Sequence, residues 1–172
     1  MNNKKSLLIR WLKNLFVYGG LFIVISLVVD WYRSPTAPAQ FEQKVYYDIQ
    51  YQPKIIAQLS SEKPMLLYFW GSWCHYCKVV SPNIQQLAEN GTEVLGVALK
   101  SGDDSEVQRY LNENGYNFAT LNDPSGEFSQ GWNIQATPTI LIVKNGKIAH
   151  HTTGYTSYLS LKLRLWLTEL FP

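Results

Sequence analysis

Hydrophobic positions along the chain fall into two regimes. Residues 15–29 are apolar apart from Ser26 and the pair Gly19-Gly20. Further on, short apolar runs alternate with longer amphipathic stretches. Residues 45–51 have strand composition. Pro53 suits the first turn of a short helix reaching about Ser60, and Ser61-Glu62-Lys63-Pro64 ends it. Residues 65–70 form an unbroken apolar run and predict the central strand. Residues 78–89 predict a helix, kinked at Pro82 and ended by Asn90-Gly91. Residues 94–99 read as a buried parallel strand. Gly102-Asp103-Asp104-Ser105 offers an N-cap and an acidic first turn for a helix from about 105 to 114, which Gly115 stops. A short strand is expected over 118–121, and Asp123-Pro124 opens a helix reaching about Trp132. Residues 139–144, Asn145-Gly146 and residues 147–153 predict a hairpin, because Asn-Gly favours a type I′ turn.

The last stretch carries two periods. Leu159, Leu161, Leu163, Leu165 and Leu167 alternate as in a strand. Leu159, Leu163, Trp166 and Leu170 instead make one helical face, and leucine favours helix. With Thr156 or Ser157 as cap, helix is the expectation. The sum is an α/β fold, a mixed central sheet with helices on both faces.

Charge separates the N-terminal segment from the rest. The 172 residues carry 15 Lys+Arg and 13 Asp+Glu. Lys4, Lys5, Arg10, Lys13 and Arg33 flank the first apolar run, with only Asp30 against them. From residue 34 onward ten basic and twelve acidic residues remain, so the body is near neutral. No basic patch points to nucleic acid. The apolar run, with Trp11 and Tyr18 near one end and Trp31 and Tyr32 at the other, reads as a transmembrane helix over residues 14–32. The basic flank keeps its start in the cytoplasm and exports the rest. A cleaved signal peptide is the rival reading, with Ala37-Pro38-Ala39 as the processing site. The expected organisation is an anchor over 1–33, a linker over 34–44 and one domain over 45–172.

The only two cysteines, Cys74 and Cys77, stand between the central strand and the helix after it. That placement suits thiol–disulfide exchange. Helix N–H groups and the dipole favour a thiolate on Cys74, and Cys77 lies one turn on. Half a zinc site reads the same way, but zinc needs two more ligands. His150 and His151 are adjacent in an expected strand and point to opposite faces, so no metal is expected. A purely structural disulfide would close a very short loop and stabilise little.

Three further motifs carry a resemblance. Leu67-Tyr68-Phe69-Trp70-Gly71-Ser72-Trp73-Cys74 resembles the strand and turn that present the thioredoxin active site. Pro82, five residues after Cys77, matches the proline in that fold's active-site helix. Ala136-Thr137-Pro138-Thr139 resembles the loop whose proline is cis. The extra helix after residues 94–99 and the Asn122-Asp123-Pro124-Ser125-Gly126-Glu127 turn look like the membrane-anchored branch of TlpA-, ResA- and DsbE-like proteins. The nearest likeness is to the suppressor-of-copper-sensitivity D type.

This resemblance implies a thioredoxin-like fold behind one N-terminal transmembrane helix. It also implies a bacterial inner-membrane location with the domain in the periplasm. Cys74 is implied as exposed nucleophile and Cys77 as buried resolving thiol. Trp73, Thr137 and Pro138 are implied as the partner-binding surface. His75 and Tyr76, between the cysteines, would tune the site. The implied partners are thiols and disulfides of exported proteins and a DsbD-like transmembrane reductase, with no cofactor. The implied direction is reduction. The alternatives are a dithiol oxidant, a reductase of cytochrome c maturation and a non-catalytic binding module. Two positions depart from the pattern. Tyr68 stands where thioredoxins bury an Asp, and Val80 where some ResA-like proteins carry an acid. No heptad run and no third cysteine suggest oligomers, so a monomer is expected.

Overall fold

The computed structural model describes residues 35–170 together with Trp11, Val17, Tyr18 and Leu21. Chain contacts divide it into two units, Met1–Ser34 and Pro35–Pro172. The expected anchor falls in the first unit, almost wholly outside the described residues. Among the described residues no helix is long and apolar enough to cross a membrane.

The second unit runs β1 (Val45–Tyr47), β2 (Pro53–Ile55), α1 (Ile56–Leu59), β3 (Met65–Trp70), α2 (His75–Glu89), β4 (Val94–Leu99), α3 (Asp104–Glu113), β5 (Ala119–Asp123), α4 (Glu127–Gly131), β6 (Thr139–Lys144), β7 (Lys147–Thr153) and α5 (Tyr158–Leu170). Strands β5-β4-β3-β6-β7 form one sheet, and β1 and β2 pair separately. Strand β3 is parallel to β4 and antiparallel to β6, which confirms the mixed sheet.

The six residues of β3 are all buried, as an apolar run covered on both faces must be. Leu66, Tyr68 and Trp70 join one core with residues of α2, α3 and α5. Met65, Leu67 and Phe69 face a second core with Ile56 of α1 and with Phe41 and Trp132. The hairpin forms as expected: Asn145 and Gly146 take φ of 51° and 69°, the positive values a type I′ turn requires. A capping box between Asp103 and Glu106 starts α3 at Asp104.

Four expectations change. Pro53 is a strand residue facing Tyr47, not the start of a helix; a two-stranded ribbon has free edges, where a missing N–H costs little. The strand predicted over 45–51 stops at Tyr47, because Asp48 folds the chain back. Its carboxylate accepts the N–H groups of Gln50 and Gln52 and pairs with Lys54 at 3.4 Å. The helix opened by Asp123-Pro124 begins only at Glu127; Asp123 instead ends β5 and accepts the N–H groups of Phe128 and Ser129. Finally, part of the expected linker is packed. Thr36 N–H donates to Trp132 O, and Phe41 packs edge-on against the Trp132 ring at 4.7 Å.

The C-terminal stretch is a helix, as expected. However, the residues it buries are Leu161, Leu165 and Thr168. Leu159, Leu163, Trp166 and Leu170 face solvent.

Candidate active site

The site grows from the end of β3. Cys74 N–H bonds back to Gly71 O at 3.1 Å, which closes the turn. Cys74 is then the N-cap of α2, and its Sγ accepts the N–H of Cys77 at 3.1 Å. A sulfur in that position meets helix donors that lack backbone acceptors, together with the positive end of the dipole. Helix α2 therefore begins at His75, three residues earlier than its pattern suggested.

Cys74 and Cys77 are joined in a disulfide with Cα atoms 5.2 Å apart. Cys77 is fully buried and Cys74 is 5% exposed. The implied exposed nucleophile is therefore nearly covered in the oxidised protein. Its sulfur is engaged by its partner sulfur and by the helix N-terminus.

The rest of the turn is fastened to the end of β4. Ser72 N–H donates to Ser101 Oγ, which in turn donates to Leu99 O. Trp73 Nε1–H donates to Leu99 O at 3.0 Å. The Trp73 ring lies on Gly71, where an added Cβ would sit 2.7 Å from it. Trp73 stays 58% exposed although its orientation is fixed. His75 and Tyr76 are exposed, their rings edge to face at 6.0 Å.

Phe69 pairs with Thr139, so the chain approaching β6 arrives at the end of the sheet from which the cysteine turn leaves. Thr137 is half-buried there, Pro138 is buried, and the peptide between them is cis. Pro138 O accepts the N–H of Gly154 at 2.8 Å, and Thr139 Oγ1 donates to Ala136 O. Asn83 of α2 reaches across to Thr156 O. Trp73, the cysteine pair, Thr137 and Pro138 thus share one end of the sheet.

The core that takes in Cys77 also holds a neutral polar pair between β3 and α2. Tyr68 OH and Ser81 Oγ are hydrogen-bonded at 2.9 Å, both fully buried. Burial pushes the Tyr68 hydroxyl well above the usual tyrosine range, only partly opposed by Ser81. Among the described residues two carboxylates are buried, Asp48 and Asp123, and both are held elsewhere by the contacts given above. Sequence reasoning marked Tyr68 as a departure but missed Ser81. Its signal was present, since Ser81 lies four residues after Cys77 on the inner helical face. His150 and His151 are exposed on β7, and among the described residues no cluster of ligands could hold a metal ion.

A cysteine pair capping a helix at the end of a mixed sheet, beside a cis-proline loop, defines the thioredoxin-like class. The chain belongs to the AhpC/TSA family, whose model matches residues 36–151. It is 45% identical to a thioredoxin-like protein of Haemophilus influenzae, over 94% of this chain and 97% of that one. It is 28% identical to the thiol-disulfide oxidoreductase ResA of Oceanobacillus iheyensis, over 81% of this chain and 77% of that one. A secreted disulfide oxidoreductase of Mycobacterium tuberculosis, homologous to DsbE, superposes with a TM-score of 0.63 at 22% identity. That match covers 75% of this chain and 98% of the other, and at that identity it speaks for the fold alone. The protein is a thiol–disulfide oxidoreductase of the DsbE/ResA type with a Cys74-x-x-Cys77 pair.

Proposed function

We propose that the protein is a membrane-tethered periplasmic reductant of disulfides in exported proteins. The observation that carries the exchange chemistry is the N–H of Cys77 on Cys74 Sγ, at the start of α2; the reducing direction rests on the likeness to thioredoxin-like proteins of the DsbE/ResA type. A donor and a dipole aimed at that sulfur favour its thiolate. In the reduced protein the Cys74 thiolate attacks one sulfur of a partner disulfide. A mixed disulfide forms and the partner's other sulfur leaves as a thiolate. Cys77 then loses its proton, attacks Cys74 Sγ and releases the second partner thiolate. The Cys74–Cys77 disulfide remains, two electrons having passed to the partner. A DsbD-like membrane carrier would return them.

The roles of the other site residues follow. Trp73 offers a fixed apolar surface, and Thr137 and Pro138 line the approach for an extended partner backbone. His75 and Tyr76 lie beside the nucleophile, where a protonated imidazole would favour the thiolate. Among the described residues no buried carboxylate serves Cys77, so its proton leaves through water or through His75 or Tyr76. The anchor is residues 14–32, supported by their apolar run and basic flank.

Glutathione equilibration of the full chain tests the direction. A potential near that of thioredoxin, about −270 mV, is expected; one near DsbA, about −120 mV, overturns the reductant. Alkaline extraction of membranes tests the tether, which requires the chain to stay in the pellet.

A further inference from the structure

We propose that α5 is the contact surface of a homodimer, in which two copies pair their outer stripes as antiparallel helices. Leu159, Leu163, Trp166 and Leu170 are 73%, 52%, 54% and 51% exposed. Surface helices normally turn such a face to the core. Their spacing of four, three and four is that of a coiled-coil seam. At 3.6 residues per turn the four fall within an arc of about 60°. Leu161, Leu165 and Thr168 lie on the opposite side of the helix, against the sheet. The stripe therefore points straight away from its own domain and is free to pack as a row of knobs.

The flanking charges choose the partner and the direction. Lys162 and Glu169 lie on the same side of the stripe. Lys162 also rests over the Tyr158 ring at 5.8 Å. When Leu163 faces the partner's Trp166 in an antiparallel pair, Lys162 comes beside the partner's Glu169. Two-fold symmetry repeats that pair at the other end. Parallel pairing would set Lys162 beside the partner's Leu167 and leave both charges unmatched. A second copy thus satisfies the seam and its charges together.

Size sets the strength. A standard interface takes about 800 Å² from each partner, and four side chains on about 20 Å of helix supply roughly half of that. The dimer is therefore a weak, transient one. The bilayer is a poorer cover. A helix lying in a membrane surface carries a basic polar face; α5 has Lys162 and Arg164 but also Glu169 beside the stripe, and a second copy pairs that carboxylate where a lipid surface does not.

The test is photo-crosslinking of the full chain in cell membranes, with Trp166 replaced by p-benzoylphenylalanine. The expected product has twice the 19.7 kDa chain mass, and its peptides join α5 to α5. K162E and E169K should each lower its yield roughly five-fold, and the double exchange should restore it. A product of any other mass, a lipid adduct, an internal link to residues 1–34, or no product overturns the proposal. Retained disulfide exchange shows that the probe variant is folded; if it is lost, the probe moves to Leu163 and the same outcomes apply.

Discussion

Helix α2 turns Cys77, Val80, Ile84 and Leu87 to the sheet and Lys78, Gln86 and Glu89 to solvent. Helix α5 packs in the same core but divides its residues the other way. It buries two leucines and a threonine and shows solvent three leucines and a tryptophan. The two differ in what their exposed ends are for. In α2 the exposed start presents the cysteine turn, with Trp73, His75 and Tyr76 exposed around it. In α5 the exposed stripe runs the length of the helix, as a surface for a rigid neighbour does.

Substitutions on each helix sharpen or break this contrast. The largest effect is expected at the turn. Cys74→Ser should abolish disulfide exchange while the fold survives, whereas Leu163→Glu should leave turnover unchanged. A fall in turnover with Leu163→Glu, measured by reduction of a disulfide substrate, would tie the stripe to catalysis and end the comparison.

Within α5 the two faces should separate cleanly in urea. Leu161→Ala removes a fully buried side chain and should cost about 3 kcal/mol. Leu163→Ala should stay within about 0.5 kcal/mol under dilute conditions. Equal costs would mean that both faces are packed in the monomer.

Gly71→Ala probes the fixed indole. The new Cβ displaces the Trp73 ring and loosens its bond to Leu99 O. The expected result is a shifted tryptophan emission and a several-fold rise in KM, with kcat nearly kept. An unchanged KM would remove Trp73 from the partner surface.

The smallest effect concerns Tyr68. Tyr68→Phe leaves Ser81 with one partner fewer and should cost about 1 kcal/mol. Because burial raises the Tyr68 pKa, its contribution is complete below the ordinary value of 10.0 and is lost as pH rises beyond it. The substitution should therefore soften the loss of stability above that pH in alkaline unfolding curves. A profile of exchange rate altered between pH 6 and 9 would instead give Tyr68 a part in moving the Cys77 proton.

Much of this molecule was legible in its sequence. Unbroken apolar runs specified β3 and β4, because a strand covered on both faces has no polar side to show. Asn145-Gly146 specified the hairpin, because few residues take two positive φ values in succession. The cysteine pair between a strand and a helix specified the chemistry. What the sequence left open depends on contacts far apart in the chain. Pro53 looked like a helix start until β1 offered it an edge. Tyr68 and Ser81 lie 13 residues apart and meet only where α2 crosses β3. Helix α5 carries leucines almost all the way round, so its own period could not choose an inner face. The tertiary structure chose one by shape: Leu161 and Leu165 fill the space beside α2, and the more regular stripe was left outside.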